Sequence, residues 1–201
     1  MRYVNIKTIA ITFSTCCVFL AAQAASPQTE EHDTGLSLVM ERLRKVEKME
    51  ARFTNVKTIS ILREPLHFSG TLKYVAPSYL EKHIINPTSE SFIVSGETIK
   101  VENTSKNLSE TFSLNKHPVL RAFVESFRAT LAGDLDTLKH FYEINFKEME
   151  GWSITLKPKL PEMLETIQTI EIYGEKHQVT QFRITDSTGG TSVMNILAET
   201  K

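Results

Sequence analysis

The sequence predicts an α+β protein that combines one large antiparallel sheet, of about eleven strands, with two or three helices. Short apolar runs alternate with glycine, proline and asparagine at hairpin spacing along most of the chain. Residues 66–75 alternate apolar and polar side chains with the period of two that is typical of a half-buried strand. Two other segments repeat apolar residues at helical spacing. A sheet of this size must curl or close on itself.

Residues 1–24 are predicted to form a secretory signal peptide. Arg2 and Lys7 precede an apolar run at residues 9–22, and small residues follow it. A charged start, a short apolar run and an A-x-A site are typical of such a peptide. We expect cleavage after Ala24, with cleavage after Ala25 as the alternative. An uncleaved membrane anchor is disfavoured because the run is shorter than the roughly 20 apolar residues of a spanning helix.

The two cysteines, Cys16 and Cys17, lie inside this segment. A lipoprotein signal is the alternative interpretation, but the residues before Cys16 match the usual L-x-G/A-C sequence poorly. After cleavage the remaining chain has no cysteine. We therefore expect no disulfide, no thiolate nucleophile and no thiolate metal site.

The cleaved chain is predicted to begin with a flexible polar leader at residues 25–34, followed by a single domain at residues 35–201. Asp33 or Thr34 is expected to cap the first helix. The apolar stripe of that helix falls at helical spacing and consists of Leu36, Val39, Met40, Leu43 and Val46.

Six strands are predicted next, with no helix between them. They lie at about residues 51–61, 66–75, 79–85, 91–94, 98–102 and 108–114. Pro77 and Pro87 bound the third strand, because proline cannot donate a hydrogen bond to a strand ladder.

A helical section interrupts the strands. Pro118 suits the first turn of a helix and Gly133 suits its end. The apolar stripe between them consists of Leu120, Phe123, Val124, Phe127 and Leu131. Asp134 is expected to cap a further short helix that continues through Phe141.

Five more strands complete the predicted sheet. They lie at about residues 142–149, 152–156, 166–173, 178–186 and 191–197. The connection at residues 158–161 is long enough to hold one helical turn.

Composition and motifs exclude several classes of function. The 23 basic and 24 acidic residues give a net charge of -1, which gives no reason to expect nucleic-acid binding. Motifs of serine hydrolases, zinc proteases and nucleotide-binding proteins are absent from the sequence. The six histidines are dispersed, so no metal site, catalytic residue or cofactor is expected. Glu110 is expected to face water, Asp134 and Asp136 to begin a helix, and Trp152 to lie in the core.

Apolar surface is what the sequence has in excess. In one interpretation, the concave side of the sheet and the helices fill each other as a solid core. In the other, they leave an apolar cavity for a lipid. The residues expected to line such a cavity are Phe53, Phe68, Leu72, Leu80, Ile84, Phe92, Phe112, Leu120, Phe123 and Phe127.

Several short motifs occur in a characteristic order along the chain. They are Ala51-Arg52-Phe53-Thr54, Gly70-x-Leu72, Pro77-x-x-Leu80, Pro87, a strand pair around Gly96, a helix ending in Ala132-Gly133-Asp134, and Trp152-x-x-x-Leu156-x-Pro158. In this order and spacing, the chain resembles the LolA-like periplasmic outer-membrane lipoprotein carrier proteins. The similarity covers nearly the whole chain after the signal peptide.

The resemblance implies an incomplete antiparallel barrel, lidded by helices, whose apolar cavity holds the acyl chains of a lipoprotein or lipid. Carriers of this family take cargo from an inner-membrane ATP-driven exporter and pass it to an outer-membrane acceptor, without chemistry or a cofactor of their own. We therefore expect a monomeric periplasmic carrier with such a donor and acceptor as partners. The alternatives are a lipid-binding sensor or regulatory protein of the same half-barrel fold and, with less support, an acyl-processing enzyme, for which no nucleophile constellation is present.

One position departs from the family pattern. The best-known carriers have a functional arginine directly before the proline of this region, and that arginine helps to keep the lid closed by bonding to helix backbone. This chain has Ala76 before Pro77. The resemblance therefore marks Ala76 and Pro77 as the gating position and indicates a divergent branch of the family.

Overall fold

The structure is a computed structural model that describes residues 28–148 and 150–198. The predicted signal peptide, its cysteines and both of its cleavage sites lie outside the described residues. Within these described ranges, no helix is long and apolar enough to cross a membrane.

Eleven strands and four helices make up the described chain. The helices are α1 (Gln28–Arg44), α2 (Pro118–Leu131), α3 (Leu135–Phe141) and α4 (Pro161–Leu164). The strands are β1 (Lys48–Thr58), β2 (Leu66–Val75), β3 (Tyr79–Asn86), β4 (Glu90–Ser95), β5 (Thr98–Asn103), β6 (Leu108–Ser113), β7 (Tyr142–Glu148), β8 (Trp152–Pro158), β9 (Ile167–Glu175), β10 (Gln178–Asp186) and β11 (Thr191–Ala198).

The strands form a single antiparallel sheet in the order β6-β5-β4-β3-β2-β1-β11-β10-β9-β8-β7. Two meanders, β1 to β6 and β7 to β11, are joined in the middle by the pairing of β1 with β11, where Phe53 lies opposite Ile196. Strands β6 and β7 are the two edges and do not pair with each other, so the sheet curls without closing. The predicted fold class, an incomplete antiparallel barrel with a helical lid, is confirmed.

The chain between the two free edges forms the lid. Helices α2 and α3 connect β6 to β7, and they pack on the same apolar core as the inner face of the sheet. The Tyr142 hydroxyl donates a hydrogen bond of 2.6 Å to the Ala122 carbonyl, which fixes the start of β7 against α2. Burial raises the pKa of the Tyr142 phenol, so the group remains a neutral donor.

The predicted first helix is longer than its apolar stripe. Helix α1 begins at Gln28, so the part of the predicted flexible leader from residue 28 onward is helical, and Asp33 and Thr34 lie inside the helix instead of capping it. A helix can extend beyond its apolar stripe because glutamine and glutamate have favourable helix propensities. The start of this helix was therefore predicted wrongly, whereas its buried residues Leu36, Val39, Met40 and Leu43 were predicted correctly.

Other local predictions are confirmed. The Asp134 side chain caps α3 by accepting a hydrogen bond of 3.0 Å from the Thr137 backbone N–H. Trp152 is buried, and its indole donates a hydrogen bond to the Lys176 carbonyl at 3.3 Å. Glu110 is exposed. The connection after β8 holds one helical turn, α4.

Helix α1 lies directly against the turn between α2 and α3. The guanidinium of Arg44 donates a hydrogen bond of 3.0 Å to the Gly133 carbonyl. Gly133 has φ +62, and a Cβ atom there would stand 2.1 Å from the Met40 carbonyl oxygen. The close approach of α1 to this turn therefore requires glycine.

We expect Gly133→Ala to lower the free energy of unfolding by at least about 2 kcal/mol, because backbone strain and a backbone clash add together. Gly189→Ala is the matched control, since Gly189 has φ +83 but open space around its Cβ position. This control should cost only about 1 kcal/mol in chemical denaturation. Equal losses in the two variants would show that the contact of α1 with the turn contributes nothing.

Candidate functional site

A cavity of about 950 Å³ lies between the inner face of the sheet and helix α2. This volume is at the upper end of the range for ligand pockets in proteins. Its wall is almost entirely apolar and is built from alternate residues of neighbouring strands. Seven of the predicted residues line it: Leu72, Leu80, Phe92, Phe112, Leu120, Phe123 and Phe127.

Phe53, Phe68 and Ile84, which were also predicted as lining residues, are not part of this wall. Phe53 and Ile84 are buried in the core, and Phe68 packs against the same core. These three residues lie around Gly70, where the pairing of β2 with β3 is irregular and a Cβ atom would stand 1.8 Å from the His83 carbonyl oxygen. At this part of the sheet the side chains pack on each other and leave no cavity.

The far side of the cavity comes from β10 and β11, two strands from which the sequence analysis named no lining residue. Phe182 and Ile184 of β10, and Met194 and Ile196 of β11, point into it. Phe182 and Ile184 are two positions apart along β10, and so are Met194 and Ile196 along β11. This period of two is the signal that could have identified them. The sequence does not determine the register in which β10 pairs with β11, and therefore it does not determine which face of each strand lines the cavity. For this reason these residues were not predicted.

Helix α2 contacts the sheet through aromatic rings. The ring centroids of Phe127 and Phe182 are 4.4 Å apart, and those of Phe123 and Phe127 are 5.4 Å apart. Leu120, Phe123, Phe127 and Leu131 form the cavity side of the helix. The helix therefore forms a lid whose inner surface consists of apolar side chains.

Polar groups line the cavity where β10 turns into β11. The carboxylate of Asp186 accepts hydrogen bonds from the backbone N–H groups of Thr188, at 2.9 Å, and Gly190, at 2.8 Å. The hydrogen bond from the Thr188 hydroxyl, followed by these backbone donors, holds the pKa of Asp186 below its usual range. Asp186 is thus occupied in holding its turn. Nearby, the Asn55 side-chain oxygen accepts a hydrogen bond of 3.1 Å from Ser192.

Lys82 is the exception within the apolar wall. It lies on β3 between Leu80 and Ile84 along the strand, opposite Leu72 on β2 and Phe92 on β4. Its ammonium lies 5.0 Å from the centre of the Phe53 ring, a cation–π arrangement. Desolvation lowers the pKa of Lys82 to about 8; Glu90 raises it and Lys57 lowers it further, both less strongly.

Lys82 was missed by the sequence analysis although its neighbours were not. Leu80 and Ile84 were both predicted to face the cavity, and the period of two places Lys82 on the same face. The sequence analysis named no charged residue of β3 among the lining residues. Strand parity was the stronger signal.

The lid helix has a second, polar side that is tied to the turn between β4 and β5. Arg128 and Glu125 are both buried and form an ion pair in which the Arg128 Nε lies 3.1 Å from a Glu125 oxygen. The Arg128 Nη1 donates a hydrogen bond to the Gly96 carbonyl. About two turns earlier in the helix, the Arg121 guanidinium lies 3.3 Å from the Glu97 carboxylate. Two arginines of α2 thus reach adjacent residues of the same hairpin turn.

The predicted gating residues lie beside this contact. Ala76 and Pro77 are exposed, and Pro77 lines a smaller, more polar pocket together with Gly96, Glu125 and Arg128. The arginine that bonds across this region therefore comes from the helix, and the backbone acceptor comes from the sheet. Ala76 contributes only its backbone N–H, which donates a hydrogen bond of 2.9 Å to the Glu47 carbonyl.

The arrangement is suited to binding apolar groups. Among residues 28–148 and 150–198, no group of three or more histidine, cysteine or carboxylate side chains is placed to hold a metal ion. The cavity presents methyl, methylene and aromatic groups over most of its surface, and such a surface takes up acyl chains through the hydrophobic effect.

Comparison with known proteins gives a family match. The model of the family described as "Outer membrane lipoprotein carrier protein LolA-like" matches residues 24–193. No curated protein matches the sequence.

Three solved structures illustrate the similarity of fold. A LolA superfamily protein from Nitrosomonas europaea is 9% identical with a TM-score of 0.44, covering 81% of this chain and 93% of that one. A DUF1329 family protein from Desulfovibrio piger is 12% identical with a TM-score of 0.48, covering 86% and 92% of the two chains. LprF from Mycobacterium bovis is 10% identical with a TM-score of 0.38, covering 83% and 91%.

We expect Lys82→Met to raise the free energy of unfolding by about 3 kcal/mol at pH 7, because a pKa lowered from 10.5 to about 8 reflects a cost of that size for the charged form. The folded-state pKa lies below the unfolded value, so this cost is fully present below pH 8. It disappears as the pH rises through about 10.5. Denaturant titrations at pH 7 and pH 10.5 measure the difference.

Lys73→Met is the control for this prediction. Lys73 lies on the outer face of the neighbouring strand β2 and pairs with Glu50 at 3.0 Å in an exposed ion pair. This substitution should change stability by less than about 1 kcal/mol at either pH. A Lys82→Met protein that is less stable than the wild type at pH 7 would contradict the assigned cost.

Proposed function

Because this chain belongs to the LolA-like family of outer membrane lipoprotein carrier proteins, we propose that it is a periplasmic carrier which shuttles acylated cargo between the inner and outer membranes. The cargo is a lipoprotein or a lipid whose acyl chains occupy the cavity under α2. The donor is an inner-membrane exporter and the acceptor is an outer-membrane protein. The carrier acts as a monomer, without a cofactor and without catalysing a reaction.

The observation that carries this proposal is the apolar cavity of about 950 Å³ between sheet and helix in a chain of this family. Solid cores pack without voids much larger than a water molecule. A cavity of this size costs stability unless it has an occupant. An acyl chain supplies the missing contacts, and shielding such a chain from water is the requirement for crossing an aqueous compartment.

The proposed location requires export. A signal peptide at residues 1–24, removed after Ala24, delivers the chain to the periplasm. Residues 25–201 then remain as the carrier, in which residues 35–201 form the lipid-binding domain.

Gating in this carrier is proposed to use Arg128. In the carriers that this chain resembles, an arginine directly before the proline helps to hold the lid. In this chain Ala76 occupies that position, and Arg128 of the lid helix donates a hydrogen bond to the Gly96 carbonyl. The lid is closed while this contact holds. Cargo enters beside Ala76 and Pro77 when it is broken.

A vesicle-transfer assay tests the carrier proposal. Donor vesicles contain a pyrene-labelled triacylated lipopeptide, and acceptor vesicles contain none. We expect the rate of transfer to increase in proportion to the concentration of the wild-type protein. Val101→Trp, which places an indole in the cavity, should lower the rate at least tenfold.

Lys100→Trp is the control for Val101→Trp. Lys100 is the preceding residue of β5 and is exposed on the outer face, so its replacement should leave the rate unchanged. A protein that neither binds nor transfers the lipopeptide or a lipid would contradict the carrier proposal. Binding without transfer would favour the lipid sensor of the same fold.

The gate is tested by the double variant Glu125→Gln/Arg128→Met. Changing both residues avoids leaving one buried charge without its partner. Loss of the charge-assisted hydrogen bond to Gly96, worth about 1.5–3 kcal/mol, should accelerate dissociation of a fluorescent acyl probe at least tenfold in stopped-flow measurements.

The matched control removes an exposed ion pair that takes no part in the contact between α2 and the turn at Gly96. Glu143→Gln/Lys157→Met breaks an exposed pair of 3.8 Å between β7 and β8. Its dissociation rate should equal that of the wild type. The same rate in the Glu125→Gln/Arg128→Met protein would mean that Arg128 does not hold the lid.

A further inference from the structure

We propose that the cargo is an anionic amphiphile, and that Lys82 binds its carboxylate or phosphate group inside the cavity. This inference rests on the proposed function and adds the chemical class of the ligand. It follows from the position of one ammonium group among the apolar side chains that β2, β3 and β4 contribute to the wall.

Lys82 is held within the wall by its strand. Its cross-strand partners, Leu72 and Phe92, both line the cavity, as does Leu80 on the same strand. The side chain is therefore directed inward by the parity of β3, and it cannot reach the outer surface without reversing that parity. Its half-buried ammonium faces the space in which the ligand lies.

Residues 28–148 and 150–198 place no anion in contact with this ammonium. Among the described residues, no carboxylate lies within 4 Å of the Lys82 Nζ and no hydrogen bond to it is present; its contact is the face of the Phe53 ring. Buried charges in proteins are normally paired or hydrogen-bonded. An unpaired cation inside a ligand cavity is therefore able to bind the negative group of a ligand.

Two carboxylates of this region hold hydrogen bonds elsewhere in the protein. Glu90 accepts a hydrogen bond of 2.6 Å from the Asn103 amide. Asp186 receives the N–H groups and hydroxyl of its own turn. The charge of Glu90 favours the Lys82 ammonium only weakly compared with the cost of desolvation, and Lys57, which also lines the cavity, adds a second positive charge. The interior field of the cavity thus favours an anion.

These contacts separate two classes of cargo. The acyl chains of a triacylated lipopeptide carry ester and amide groups but no anion, and would leave Lys82 without a partner. A fatty acid or a phospholipid brings its negative group next to its chains. Only the second class satisfies both the apolar wall and the ammonium.

A purely structural role is the competing explanation, in which Lys82 only covers the Phe53 ring. In that case the charge would not influence which ligands bind. The two explanations differ in one measurable quantity, the preference for an anionic ligand over a neutral ligand of the same chain length.

The experiment measures displacement of neutral 16-(1-pyrenyl)hexadecanol from the full-length mature protein at pH 7. The competitors are palmitate and palmitoyl lysophosphatidate, which carry a carboxylate and a phosphate, and the neutral methyl palmitate and monopalmitoyl glycerol. We expect the wild-type protein to bind at least one of the anionic ligands ten or more times more tightly than the neutral ones. Which of the two competes better identifies carboxylate or phosphate as the natural group.

Three variants assign the preference to Lys82. Lys82→Met should reduce the anionic preference to within twofold of unity while retaining the affinity for methyl palmitate. Lys82→Arg should retain the preference because it keeps the charge, and Lys73→Met, on the outer face, should behave as the wild type. Circular dichroism and denaturation confirm that each variant is folded.

The outcomes distinguish this inference from the carrier proposal. Equal affinity of the wild type for anionic and neutral ligands, or a preference unchanged in Lys82→Met, would overturn the inference while leaving an acyl carrier intact. Failure of every acyl ligand to bind would overturn both.

Discussion

The concave face of the sheet offers more apolar surface than the helices that lie on it can cover. Helices α2 and α3 together connect one free edge of the sheet to the other, and the Phe127 ring of α2 contacts the Phe182 ring of the opposite wall. Because β6 and β7 do not pair, the curvature of the sheet is not limited by closure. The space left between wall and helix is therefore a consequence of the topology, and its apolar lining follows from strand alternation.

The same geometry places the lid in competition with a ligand. Burying one methylene contributes about 0.8 kcal/mol, so a chain of about 16 carbons represents roughly 13 kcal/mol of transfer from water. A membrane offers the chain nearly the same environment, so a cavity that held it much more tightly could not release it. The polar contacts of α2 with the turn between β4 and β5 are few and lie at Gly96 and Glu97. Changes in these contacts would shift the balance between a closed lid and a bound acyl chain by a few kcal/mol.

Local patterns determined most of the strand positions, and β2 was predicted with its observed limits because its alternation of apolar and polar residues is local. Strand alternation indicated Leu72 as a cavity residue, and the helical stripe indicated Phe123. Phe53 and Ile84 pack in the core, and this packing around Gly70 depends on pairing across the sheet. Burial of the Arg128–Glu125 pair likewise depends on long-range packing, which no single segment encodes.

Lys82 shows why a charge inside an apolar wall points to binding. Its desolvation opposes folding, and the contact with one aromatic ring, worth about 0.5–2 kcal/mol, offsets only part of that cost. A methionine there would fill the same volume without the cost, so stability alone does not explain the lysine. An anionic ligand removes the cost by supplying the missing partner, and it does so only when its acyl chain already occupies the cavity. The charge thus selects among ligands that the apolar wall alone would accept equally.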